Sequence, residues 1–165
     1  MAISREDRQF LLLCNVVRQD SHDPDRKVGA IIVNADGQLV GRGTNAPPSA
    51  LNLTIADSQA AIRQDQRWKY FVLEHAERNA IFDALVRGNS LKGTTMYSTL
   101  FPCADCARAI VASGVSRLVV LGVELDLDRD QKWLDHYRHA EQIFELARVM
   151  VETINPDELT ASDRL

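Results

Sequence analysis

Two short stretches constrain this chain more than any others. Leu73 to Phe82 reads LEHAERNAIF, and Leu100 to Ala107 reads LFPCADCA. The second puts Cys103 and Cys106 one helical turn apart, just after Pro102, where a strand gives way to a helix. Two sulfurs so placed can grip one ion, and the partial positive charge of a helix start favours the thiolate form. His75 likewise opens a helix that follows a loop. A fold for this chain must bring those two helix starts to one point, because His75, Cys103 and Cys106 together supply three metal donors. Thiolate and imidazole donors suit zinc, and three of them leave one tetrahedral corner open for water, as in a catalytic site. Glu77, two residues past His75, stays free as a proton carrier beside that water.

The triplet His75-Ala76-Glu77 returns as His139-Ala140-Glu141. The second copy has no cysteine after it, and His139 sits inside a continuous helical pattern with Trp133, Tyr137, Phe144 and Ala147. His136 and His139 could pair one turn apart, but no third donor is evident, so a solvated helix flank is expected there. Cys14 lies in an apolar helix and reads as core. Three cysteines with one C-x-x-C pair make a poor disulfide framework and fit a metal site in a reducing compartment.

The rest of the pattern sets the fold class. REDRQFLLLCNVVRQD, from Arg5, reads as an amphipathic helix, closed by Pro24 in the polar loop that follows. Val28 to Asn45 is a hairpin around Asn34-Ala35-Asp36-Gly37. Pro47 and Pro48 forbid a central strand, so 47–73 reads as a long loop with a helical piece near Ile55 to Arg67. Helix then alternates with strand: a helix from Glu74 to the Gly88 cap, a strand over Thr94 to Phe101, and a helix from Ala104 to the Gly114 cap. A strand over Ser116 to Val123, a helix over Asp128 to Ala147 and a last strand over Arg148 to Ile154 complete the series. The expectation is one α/β domain over 1–165, with its core at about 10–154. A mostly parallel, mixed sheet of about five strands would lie in a three-layer α/β/α arrangement. The polar residues 155–165 read as a loosely held tail.

Composition narrows the partners. A net charge of -4 argues against duplex nucleic acid, which needs a basic face. The same acidity, and the lack of a basic stripe with interleaved aromatics, argues against a polynucleotide-editing enzyme. No apolar run approaches the roughly 18 residues that span a bilayer, and the first ten residues lack the apolar core of a secretory signal. A cytoplasmic chain without membrane partners is expected.

At HAERNAI and at YSTLFPCADCARAIVASGVSRLV the sequence resembles the zinc-dependent cytidine and deoxycytidylate deaminases, closest to the deoxycytidylate branch. The paired H-x-E and P-C-x-x-C signature is specific for zinc nucleobase deaminases, and DPDRKVGAIIVNADGQLVGRGTN is similar to that family's opening hairpin. The resemblance covers roughly Phe10 to Val123. It implies one zinc per chain on His75, Cys103 and Cys106, with Glu77 as the catalytic carboxylate and Asn45 as a substrate contact. It also implies hydrolysis of a cytosine nucleotide, dCMP to dUMP and ammonia, in a homo-oligomer, with 47–73 as the family's variable insertion. The alternative is a deaminase of a free base, nucleoside or related heterocycle such as cytosine, guanine, a triazine or a pterin. A non-catalytic zinc scaffold would have no use for the unliganded Glu77.

Arg26, just before the hairpin, is the first choice for a 5′-phosphate contact, ahead of Lys27, Arg67 and Lys69. Trp68, Tyr70 and Phe71 are candidates for the pocket wall. Two departures from the family stand out. Many members read Gly-Tyr-Asn-Gly where this chain has Gly43-Thr44-Asn45-Ala46, which weakens the expectation of nucleotide feedback. The insertion carries no Cys or His for a second zinc, and Glu74 stands where relatives often have Cys.

Overall fold

The structure is a computed structural model that describes residues 3–122 and 130–159. Helix α1 (Arg5–Val17) starts on a capping box, with Ser4 Oγ accepting from the Asp7 amide at 3.0 Å and the Asp7 carboxylate accepting from the Ser4 amide at 2.8 Å. Strands β1 (Gly29–Val33) and β2 (Leu39–Thr44) form the expected hairpin, turned by Gly37 at φ 76°. The insertion contains two helices, α2 (Ile55–Gln64) and α3 (Lys69–Val72). Then come α4 (Ala76–Val86), β3 (Thr95–Ser98), α5 (Ala104–Ser113), β4 (Arg117–Leu121), α6 (Leu134–Ala147) and β5 (Met150–Ile154).

The strands form one five-stranded mixed sheet in the order β2-β1-β3-β4-β5. Parallel pairing, expected for most of the sheet, is confined to its β3–β4–β5 half. Strand β1 runs antiparallel to both neighbours, because the hairpin inserts beside β3 rather than extending the crossover series. Helices cover both faces. Residue alternation along β1 sends Ile31 and Val33 to a core with Leu11 and Cys14 of α1, and Ala30 and Ile32 to a core with α4, α5 and α6. Ile31 and Ile32 are fully buried, and each contributes about 1.5–3 kcal/mol by leaving water.

Helix α4 lies almost flush on β2. A Cβ on Gly41 would come within 2.4 Å of the Ala80 carbonyl oxygen, and one on Gly43 within 2.3 Å of the Ala76 carbonyl oxygen. Only glycine lets the helix approach so closely. The short distance puts the start of α4 beside the end of β2, so His75 and Glu77 stand next to Asn45.

An ionic network ties α1 to the sheet at the far end of β4. Arg117 donates to Asp7 Oδ1 at 2.7 Å and to Glu152 Oε2 at 2.6 Å, and the Tyr97 hydroxyl donates to Asp7 at 2.7 Å. Burial would raise the Asp7 pKa, but the bonds from Arg117, Ser4 and Tyr97 outweigh it and hold the carboxyl well below its usual range. A folded pKa below the unfolded one adds stability above the usual carboxylate range, and that stability is lost as pH falls towards the folded value. Arg117→Met is expected to lose about 3–5 kcal/mol near neutrality, the cost of leaving a buried charge unpaired. In urea unfolding this deficit should shrink below about pH 4, as Asp7 protonates. A deficit that is the same at pH 3 and pH 7 would count against the assignment.

Several expected boundaries move. The strand expected over Thr94 to Phe101 pairs only from Thr95 to Ser98: the Thr99 amide still donates to the Gly29 carbonyl at 3.0 Å, but the Gly29 amide donates back to the Thr99 hydroxyl at 3.1 Å instead of its carbonyl, and the regular ladder ends there. The helix within the insertion ends at Gln64 rather than Arg67. The last helix starts at Leu134, after a 3-10 turn at Gln131–Trp133. Positions 128 and 129 of that expected helix, and Val123 of the expected strand, lie outside the described residues. The tail is anchored at its start: Leu159 is buried in the α1-side core, and the Arg8 guanidinium donates to the Glu158 carbonyl. Residues 160–165 lie outside the described ones. No helix among the described residues is long and apolar enough to cross a membrane.

Candidate active site

His75 caps the start of α4 in an extended conformation, and Glu74 just before it pairs with Ala46 after β2 through bonds of 3.2 and 2.9 Å. The Asn79 side-chain amide, one turn into α4, donates to the carbonyls of Thr44 and Ala46 at 2.8 and 3.1 Å. These contacts lock the helix start to the strand end. On the other side, Cys103 caps α5 and its Sγ accepts from the Cys106 amide at 3.5 Å, while Gly114 closes the helix at φ 89°.

The three donors expected to meet do meet. His75 Nδ1 lies 3.5 Å from Cys103 Sγ and 3.4 Å from Cys106 Sγ. With Zn–S near 2.3 Å and Zn–N near 2.0 Å, tetrahedral geometry separates a sulfur corner from a nitrogen corner by about 3.5 Å. The donor set and its spacing therefore fit zinc, which His75 would hold through Nδ1. Glu77 Oε2 sits 3.6 Å from Cys106 Sγ, and the carboxylate is buried at 4% exposure.

The ionisable groups of the site shift one another strongly. The hydrogen bond from Cys106 pushes the Cys103 thiol down to about 4, and Cys106, the donor, is pushed up. The bond to Cys103 raises His75 to about 9 against the opposing effect of burial. Burial raises the Glu77 pKa above its ordinary value, although the His75 charge pulls the other way.

These groups line a cavity of about 400 Å3, within the range of small-ligand sites. Asn45 and Arg26 both line it, but each also has work inside the protein. Asn45 Oδ1 accepts from Ser21 Oγ at 2.6 Å and from the Val28 amide at 2.9 Å, while its Nδ2 donates to the Arg26 carbonyl at 2.6 Å. One amide hydrogen is left for a ligand. The Arg26 guanidinium is 2.8 Å from the buried Asp130. Lys69 lines the cavity too, but is held by Asp23 at 3.1 Å and Asp25 at 2.7 Å. Of the three aromatics expected in the wall, Tyr70 is there, whereas Trp68 and Phe71 stand outside it.

The opposite wall was not foreseen. Trp133 and Tyr137 face the cavity, with the Trp133 ring 6.0 Å from that of His75. Lys132 sits beside them and donates to the Tyr70 hydroxyl at 2.5 Å. In sequence these belong to a polar amphipathic helix, and nothing in its period distinguishes a cavity-facing residue from a solvated one. His139, by contrast, is exposed as expected, with Nδ1 2.7 Å from the Asp135 carbonyl oxygen.

The zinc-binding region of the cytidine and deoxycytidylate deaminases matches residues 4–122. The chain belongs to this family. Human deoxycytidylate deaminase is 32% identical over 112 residues, which are 68% of this chain and 62% of that protein. A probable deoxycytidylate deaminase of Caenorhabditis elegans is 33% identical over 136 residues, 81% of this chain and 67% of that protein. The chain thus spans about three fifths of its human relative's length. The fold is that of the dCMP deaminase from the cyanophage S-TIM5, with a TM-score of 0.65 at 21% identity over 90% of this chain and 96% of that one. The family match contains His75, Glu77, Cys103, Cys106 and Asn45, and it ends before Lys132, Trp133 and Tyr137. The candidate metal donors therefore fall inside the family match, and the far wall of the cavity is built from residues beyond it.

Proposed function

We propose that the chain is a single-domain, zinc-dependent hydrolytic deaminase that converts dCMP to dUMP and ammonia. The observation that carries the reading is the convergence of one imidazole and two sulfurs beside a buried, unliganded carboxylate at the floor of a ligand-sized cavity. The names of the human and nematode relatives support the substrate.

His75, Cys103 and Cys106 would hold the metal. Zinc, when bound there, would acidify a water and so make a nucleophile available at neutral pH. Glu77 takes the proton given up by that water and delivers it to N3 of the cytosine ring. A carboxylate whose pKa is raised towards operating pH suits both halves of that transfer. Glu77 then takes the remaining proton from the oxygen added at C4 and passes it to the amino group, which leaves as ammonia while the C4 carbonyl forms. Asn45 offers its remaining amide hydrogen to the sugar, while Trp133 and Tyr137 flank the base. Arg26 and Lys132 face the 5′-phosphate. Lys132 is the better placed of the two, because among the described residues it has no carboxylate partner, whereas Arg26 shares its charge with Asp130. Three free cysteines suit a reducing cytoplasm. The exposed Phe82, Leu85 and Val86 on α4 support self-association.

Ammonia release measured on dCMP, deoxycytidine, cytosine and guanine tests the reading. The expected kcat/KM for dCMP exceeds that for deoxycytidine by about 10- to 100-fold, the worth of one or two charge-assisted bonds. Equal or better turnover of an unphosphorylated compound would reject dCMP and favour the free base or heterocycle.

A further inference from the structure

We propose that Cys103, Asp105 and His136 form a second, weaker zinc site, which shares one sulfur with the first and fills only when zinc is in excess. One donor atom from each of the three lies within 4.8 Å of the other two. His136 is the histidine that sequence left without a third partner. Docking of α6 beside α5 supplies two, because it carries His136 to the first turn of α5, where Cys103 caps the helix and Asp105 follows it.

Each donor is available at small cost. The His136 ring forms no hydrogen bond among the described residues: its Nδ1 is buried without a partner, and its one ring contact is Trp133, at 5.4 Å between centroids. A metal that takes this imidazole breaks nothing. Asp105 is half exposed, and its carboxylate pairs only with the exposed Arg108 on the same helix, an interaction that solvent screens to little. Cys103 keeps lone pairs on sulfur after binding one ion, so its thiolate can bridge a second. Sulfur, imidazole and carboxylate are together a zinc set rather than a calcium or magnesium set. The resident count stays at one, since the second ion has three donors, one of them shared.

The position gives the site a consequence. Cys103 and Trp133 line the cavity, and His136 packs at a tilt against Trp133. An ion at the second site draws charge from the sulfur that serves the first and sits behind the wall against which a substrate would pack. Excess zinc should therefore slow turnover. That part rests on the deaminase reading, whereas the existence of the site does not.

The test counts metal rather than product. Holoprotein is dialysed against a series of zinc buffers, and bound zinc per chain is measured by elemental analysis. The wild type is expected to hold one equivalent at low free zinc and two at high free zinc. His136→Gln and Asp105→Asn should each keep the first equivalent, which also shows that they fold, and lose the second. A wild type that stays at one equivalent across the series would overturn the proposal. So would a second equivalent that survives in both variants, because that ion would be bound elsewhere.

Discussion

Glu77→Gln is expected to leave zinc bound and to cut deamination by a factor of about 10³ to 10⁴, the upper part of the range for a positioned acid–base group. Glutamine keeps the size and shape of the side chain in a place that is 4% exposed, so the helix start and the metal donors are undisturbed. What it removes is the ability to accept a proton. One carboxylate is asked to move protons at each stage, from water to N3 and then to the leaving amine, so no later step can rescue the loss. Its position explains why Glu77 is fit for this. Glu77 Oε2 is 3.6 Å from Cys106 Sγ, beside the metal rather than on it, and burial raises its pKa. The check is kcat together with zinc content on the same sample. Near-normal turnover at full zinc occupancy would take Glu77 out of the mechanism.

The second large effect is expected from Cys106→Ser. This sulfur is fully buried and is one of three donors, so the variant should lose stoichiometric zinc and, with it, all measurable turnover. Stability should fall as well, because an ion that binds only the folded chain stabilises it by mass action, about 2.7 kcal/mol when free zinc is a hundred times the dissociation constant. At roughly 2–4 °C per kcal/mol for a chain of this size, that is a drop in Tm of about 5–10 °C. Chelation of the wild type should give the same shift, reversed by adding zinc back. Cys14→Ser is the control. Cys14 is equally buried, but it projects from α1 into the core on the other face of the sheet, so its variant should lose stability and keep both zinc and turnover. Full zinc content in Cys106→Ser would sink the three-donor site.

The parts of the molecule differ in how far sequence reveals them, and the difference follows from the range of the forces involved. The convergence of His75, Cys103 and Cys106 was legible because metal ligation needs particular atoms at particular spacings, and few other uses require H-x-E with P-C-x-x-C. The hairpin was legible from its turn residues, and the helix ends at Gly88 and Gly114 from a backbone conformation that glycine adopts without strain. Helix α2 was half hidden, although Thr54 and Asp57 form the capping box that marks its start. Asn45 lines the cavity, where a substrate contact was expected, but its bonds inside the protein were not foreseen. Holding the 21–28 loop depends on where Ser21 and Val28 come to lie.

Chemistry and local geometry were thus written in the order of residues: which side chains could grip an ion, which carboxylate lies beside them, where helices begin and stop. Assembly of the far wall was not. Lys132, Trp133 and Tyr137 reach the cavity, and His136 reaches Cys103, because α6 packs across α5 in one rotational setting. That setting comes from summed burial of Ala140 and Phe144 against the sheet, a non-directional force that leaves no mark on the neighbouring polar residues it carries into place.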